Sequence, residues 1–517
     1  MRDRVLTILL LVFLFGLFAA DLARPINLTA VDIGRHVKNG ELLLQGQWDL
    51  LHRNFYSFTH PDHPFINHHW LFGVLSYGVH QCAGFTGLSI VYIGVLLGAL
   101  FFFLRAAALR GHFALAIFFA FLSLPILADR REIRPEGLSL LFMGLYFYLL
   151  TKLSLGQVRQ RTVLIILGIT QVIWVNTHIF FFMGPLLTAI FLWEGYARKC
   201  SVCVRALWPL LILLSAVDLI NPSGLAGALT PLNIFKEFGY RLAENQTVFF
   251  MMDRFPGQKE YAYYLGLVLV AVVGIILAVR ARGWKANAPF ILLAVFAACA
   301  GLKAVRLMTP FAFFLVPLGS FFYGQAEGKL PPKIQKTIRV FLLAAALVLG
   351  VIQASGLRNS PIGVGLAPGV NVSAEFFKQT GIQGPVFSNY DIGGYLIYHL
   401  YGREPVFVDN RQEAFPPEFF KGTYVPMQED KEVWKKADGR WGFNAVYFYR
   451  HDLTPWGQAF LVRLVDDPDW APVFVDGYTI IFLKRNGPNQ RVIDRFQLPR
   501  SMFSASGPAV GGAGQAG

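Results

Sequence analysis

Eleven apolar runs separated by polar gaps recur along the first 355 residues of this 517-residue chain. A membrane-spanning helix needs roughly 20 consecutive apolar residues, so this pattern leaves few other folds open. The spacing predicts helices over 4–20, 84–104, 113–128, 137–151, 162–175, 179–194, 205–220, 261–279, 287–302, 307–323 and 338–355. The first run follows Met1-Arg2-Asp3-Arg4, and no small-residue cleavage site precedes Asp21-Leu-Ala-Arg-Pro25. It is therefore read as a retained helix rather than a removed signal.

Composition narrows the class further. Only 15% of residues are charged, against about a quarter in soluble domains, which argues against a cytosolic globular enzyme. Four cysteines exclude a disulfide scaffold. The net charge of +14 invites nucleic acid as a partner, but its location argues otherwise. Residues 1–355 hold 30 basic and 16 acidic side chains, whereas 356–517 hold 16 of each. No basic groove is left in the polar part, and nucleic acid is excluded as a partner.

The excess instead orients the chain. Alternate inter-helix segments, from Arg2 and Arg4 through Arg105, Arg110, Lys152 and Arg198 to Lys333 and Arg339, collect seventeen basic and three acidic residues. By the positive-inside rule this side is cytoplasmic, with the N-terminus inside. The loops 21–69, 129–136 and 221–260, and everything after 356, then lie outside. Residues 356–502 read as an extracytoplasmic α/β domain with strands near 386–389, 405–409, 445–449 and 478–483. The Gly/Ala/Ser-rich stretch 503–517 reads as a disordered tail.

The outer loops carry the candidate chemistry. Asp32, Arg35 and His36 stand in the first, followed by Asn67-His68-His69-Trp70. The second breaks the charge rule with Arg130, Arg131 and Arg134, whose guanidinium forks suit phosphate. Asp129 and Glu132 beside them are either internal partners of these arginines or a carboxylate pair for Mg²⁺ or Mn²⁺. Arg306, near Lys303 in another tight outer turn, extends the same anionic site, and Glu244 is a candidate acceptor contact. Asn176 and His178 lie between two runs too short to span a bilayer, in a turn expected to sit below the outer surface. Cys200-Ser-Val-Cys203 has no second pair or histidines around it and is read as chance.

Asp32-x-Gly-x-His36, Asn67-His-x-Trp70, Arg131-x-x-Arg134-Pro135 and Trp174-Val-Asn176-x-His178 occur in this order in successive outer loops. The order resembles the GT-C superfamily of membrane glycosyltransferases, particularly bacterial dolichyl-phosphate-mannose-protein mannosyltransferase-like proteins. Ser388-Asn-Tyr390-Asp391-Ile-Gly393-Gly-Tyr395 is similar to a degenerate oligosaccharyltransferase WWDYG segment, with Asp409 and Arg411 further along.

The resemblance implies a GT-C-like membrane domain of about eleven helices and a C-terminal α/β domain. It implies a bacterial inner-membrane glycosyltransferase that moves a hexosyl or pentosyl group, with inversion, from a polyprenyl-phosphate donor to an extracytoplasmic acceptor. Asp32 would be the catalytic base, assisted by His36, and Arg131, Arg134 and Arg306 would hold the donor phosphate. His68, Asn176, His178, Glu244, Tyr390, Asp391, Tyr395, Asp409 and Arg411 would line the sugar and acceptor pockets. Two other classes stand beside this reading: a transporter or flippase of an anionic lipid-linked substrate, and a non-catalytic envelope-polysaccharide scaffold.

Overall fold

The computed structural model describes residues 2–233 and 236–503. The chain divides into two compact units. The first comprises Met1–Asn27, Asp32–Arg53 and Pro64–Pro368; the second comprises Leu28–Val31, Asn54–His63 and Gly369–Gly517. The segment 503–517, expected to be a disordered tail, lies from Ser504 onward outside the described residues.

The first unit is helical. Its helices are α1 (Arg2–Leu22), α2 (Ile33–Leu44), α3 (Trp70–Arg110), α4 (Phe113–Leu127), α5 (Glu136–Ser154), α6 (Gln160–Val175), α7 (Met183–Ala197) and α8 (Ser201–Val217). They continue with α9 (Gly224–Ala228), α10 (Val248–Arg254), α11 (Glu260–Arg282), α12 (Trp284–Lys303), α13 (Met308–Glu327) and α14 (Pro332–Gly356).

Each of the eleven apolar runs is helical. Eight helical segments, rather than eleven, are long and apolar enough to cross a membrane among the described residues. The others, α4, α6 and α8, have 15, 16 and 17 residues. At 1.5 Å per residue, none of these reaches the ~30 Å hydrocarbon thickness. The chain is thus a multi-pass membrane protein by its helices.

Packing distinguishes the helices. Of the most apolar 18-residue window, 78% is buried in the Val305–Glu327 segment and only 11% in α14. The Val305–Glu327 segment is therefore the centre of the bundle, whereas α14 turns Phe341, Val348 and Ile352 outward, as a lipid-facing helix does. α3 is broken at Gly84, whose φ of 60° is the left-handed conformation that glycine adopts at little cost. Charges inside the bundle are paired. Arg110 meets Glu194 at 2.8 Å and Ser154 at 2.6 Å beneath the Phe290 ring, and His112 meets Glu327. Cys200 and Cys203 are joined by a disulfide, a pairing that the motif's lack of context did not suggest.

The second unit is built on a four-stranded sheet. After α15 (Val372–Thr380) come β1 (Val386–Ser388), α16 (Gly393–Leu400), β2 (Ala445–Tyr449), β3 (Trp470–Val475) and β4 (Thr479–Lys484). The order is β1-β2-β4-β3, with β1 parallel to β2 and the other pairs antiparallel. Residues 405–409 are not a sheet strand. Val406 makes only an isolated bridge with Ser57, exchanging bonds with Tyr56 and Phe58. β3 is absent from the strands that the sequence pattern predicts because it contains Pro472. The strand takes the sheet edge and is bulged after Pro472, where a missing N–H is tolerated.

Candidate functional site

Three connections of the first unit converge through charge. Pro135 closes the turn between α4 and α5, and Glu136 opens α5 with a carboxylate in its first turn, which suits the helix dipole. The turn Val305–Leu307 precedes α13, and a short 3-10 turn, Ala243–Asn245, carries Glu244. The Val305 N–H donates to the Gln246 carbonyl at 3.0 Å, joining the last two connections.

Glu244 is the hub. Its Oε2 accepts from Arg134 at 2.8 Å and from both terminal nitrogens of Arg130 at 3.3 Å, and Arg306 stands 3.7 Å from Oε1. Arg134 also bonds Glu132 at 2.7 Å, and Arg130 bonds Glu136. Burial would raise the Glu244 carboxyl, but Arg134, Arg130 and Arg306 overcome this and hold it at about 2. Asp32 joins the edge of the cluster. It lies at the N-terminus of α2 without capping the helix, its carboxylate 4.0 Å from Arg134 and 4.0 Å from Arg35, and its side chain is 21% exposed.

Beside this cluster lies a stack of imidazoles. His69 is T-shaped to His36 at 5.7 Å, stacks on His178 at 5.4 Å, and is 4.0 Å from His68, centroid to centroid. Burial, reinforced by neighbouring cations, pushes His36, His69 and His178 well below the usual imidazole range. Burial likewise lowers His68 to about 4. These rings are therefore neutral near pH 7. His178 Nδ1 shares a 2.8 Å hydrogen bond with Ser139, which also accepts from Trp174 at 2.7 Å. His36 Nδ1 is buried with no partner among the described residues.

Asn176 is positioned by three side-chain bonds. It accepts from Trp70 Nε1 at 2.8 Å and donates to the Val172 and Ile220 carbonyls, each at 2.8 Å. With His68, Trp70, Asn221 and Ser223 it lines a narrow cleft. A larger groove, about 750 Å³, is walled by apolar side chains from α5, α7, α12 and α13, with Lys303 its one charged lining residue among those described. Leu307, next to Arg306, and Phe180, 4.4 Å from the His178 ring, both line it, so the groove adjoins the charged cluster.

The structure thus brings together Asp32, His36, His68, Asn176, His178, Arg134, Glu244 and Arg306. Arg131 is a correction. Its guanidinium turns to Asp21 at 2.9 Å and to the Ala128 carbonyl, outside the cluster. Asp21 is fully buried and needs the cation. Arg130, marked with Arg131 and Arg134 by the charge rule but not chosen as a phosphate ligand, bonds Glu244 in its stead.

Asp129 and Glu132 stand beside the arginines of the same turn. Glu132 is held by Arg134, and no three His, Cys, Asp or Glu side chains converge as ligands among the described residues.

In the second unit the candidate polar groups serve the interior. Arg411 bonds Asp409 at 2.6 and 2.8 Å and Asn54 at 2.9 Å, all three buried. The Tyr395 hydroxyl donates to the Val370 carbonyl at 2.9 Å, and Tyr390 accepts from the Gln412 N–H at 3.2 Å. Asp391 is half-buried just before α16. Gly393 is required by packing: a Cβ there would stand 2.4 Å from the Asp409 Cα.

No protein-family model matches the chain, and no curated protein matches it in sequence. Solved structures do. The archaeal oligosaccharyltransferase AglB from Archaeoglobus fulgidus, in complex with an inhibitory peptide and a dolichol-phosphate, is similar at TM-score 0.55 and 10% identity. The match covers 92% of this chain and 74% of that one. The apo form of the same organism's oligosaccharyltransferase is similar at TM-score 0.56 and 11% identity, over 91% and 74% of the two chains. The form tethered to an acceptor peptide containing the NVT sequon gives 0.56 and 10%, with the same coverage. At such identity the likeness is one of fold alone, shared with these membrane oligosaccharyltransferases. These neighbours are oligosaccharyltransferases, not the mannosyltransferase-like proteins that the motif order resembles.

Proposed function

We propose that the chain is a glycosyltransferase of the GT-C type, moving a sugar from a polyprenyl-phosphate donor to an extracytoplasmic acceptor at a bacterial inner membrane. The observation that carries this reading is the approach of Asp32 to Arg134, a carboxylate and a phosphate-suited guanidinium beside an apolar groove. The groove accepts the isoprenoid tail, and Lys303 and Arg306 mark its polar end.

In the reaction, the acceptor oxygen attacks the anomeric carbon as the bond from that carbon to the phosphate oxygen breaks. The phosphate departs with the electron pair, and its growing charge is met by Arg134, Arg130 and Arg306. Asp32 takes the acceptor proton. His36, kept neutral by burial, does not compete for the phosphate. Attack opposite the leaving group inverts the anomeric centre.

The test uses purified protein in proteoliposomes, a panel of radiolabelled polyprenyl-phosphate sugars and candidate acceptors. Label appearing covalently on an acceptor is the expected result. Label that only equilibrates across the bilayer, with no product, would identify a transporter instead.

A further inference from the structure

Among charged side chains of the first unit, Arg130, Arg134 and Arg306 are unusual in sharing one partner, the Glu244 carboxylate. Arg130 and Arg134 each have one other carboxylate within 3 Å, Glu136 and Glu132. Three guanidinium groups therefore face three carboxylates directly, with Asp32 a fourth at 4.0 Å from Arg134. An arriving phosphate would place excess negative charge in a partly desolvated site, which is strongly unfavourable. Of the three carboxylates, Glu132 and Glu136 belong to the same α4–α5 connection and α5 start as their arginines. Glu244 alone arrives from another connection, on a three-residue turn.

We infer that Glu244 is an internal stand-in for the donor phosphate, an autoinhibitory contact that the lipid-linked donor must displace to enter. This rests on the phosphate-binding role proposed above for the arginines. Because the Glu244 carboxyl is held at about 2, it remains an anion at any working pH and competes throughout. Displacement swings Ala243–Asn245 out and frees the arginines for the phosphate oxygens. The link from Val305 to Gln246 then carries the change to the turn that bears Arg306. In the free protein Glu244 thereby offsets part of the positive charge of the three arginines.

The experiment measures binding of a long-chain polyprenyl phosphate, without sugar, to the detergent-solubilised full chain and to Glu244→Gln and Glu244→Ala. If the competent state is about a tenth of the free population, removing the carboxylate tightens apparent binding roughly tenfold. Backbone hydrogen exchange is followed in the wild type alone, so that the inference is decided even if a variant misfolds. The Asn245 and Gln246 amides, which now donate to the Leu242 and Ala243 carbonyls, are expected to exchange faster once the lipid is bound. Wild type that binds the lipid with no change at these amides overturns the inference, as does a folded Glu244→Gln that binds equally or more weakly. No binding by any form, wild type included, removes the phosphate-site reading itself and the inference with it.

Discussion

The Trp70 indole N–H donates to the Asn176 side-chain carbonyl at 2.8 Å, joining the start of α3 to the end of α6 across 106 residues of chain. Leu71 N–H adds a 3.1 Å bond to the Asn176 backbone carbonyl. Two motifs that lie far apart in the sequence thus form one wall of the cleft. Asn176→Ala leaves the indole N–H and the Ile220 carbonyl without this partner. It is expected to cost about 1–3 kcal/mol, read as a lowered Tm in detergent. Asn176→Ala melting like wild type would show that water replaces the amide freely.

The two adjacent arginines should separate cleanly. Arg130→Ala removes a cation facing Glu244 and is expected to weaken polyprenyl-phosphate binding about tenfold or more. Arg131→Ala leaves that affinity unchanged while lowering thermal stability, since among the described residues buried Asp21 keeps Arg24 and Gln353 alone. Titration of both variants with the lipid, alongside their melting curves, checks the pair. Equal losses of affinity would return Arg131 to the phosphate site.

Much of this was legible in the sequence, for physical reasons that differ by residue. Apolar runs report membrane helices directly, because hydrocarbon admits little else, and all eleven runs are helical. The sequence marked the α6 run as too short to span, but it did not set α4 and α8 apart, and it read as equally short the 179–194 run, which lies in a 19-residue candidate span. Nor could it separate Arg130 from Arg131. That choice depends on buried Asp21, more than a hundred residues upstream. Pro472 hid β3 because a proline reads as a break until the strand is known to be an edge. Tyr395, Asp409 and Arg411 carried polar chemistry that the fold uses internally, a distinction only burial reveals.

The imidazole stack sets a pH dependence. His68 titrates near 6.5 when unfolded and at about 4 in the folded protein. Between these values the unfolded state binds the extra proton, so stability falls as pH drops through that window. Melting temperatures measured from pH 7 down to about pH 4 should decline, and His68→Gln should decline less steeply. Identical slopes for the two proteins would contradict the neutral, buried assignment of His68.

Asp32 carries the central claim, and its rate of sugar transfer is the most direct test. With donor and acceptor in excess, Asp32→Asn is expected to lose on the order of 10²–10⁴-fold in turnover, as removal of a general base does. Polyprenyl-phosphate affinity should stay within about twofold, because Asp32 stands 4.0 Å from Arg134 and outside the guanidinium–Glu244 bonds. Transfer by Asp32→Asn at the wild-type rate would contradict the account.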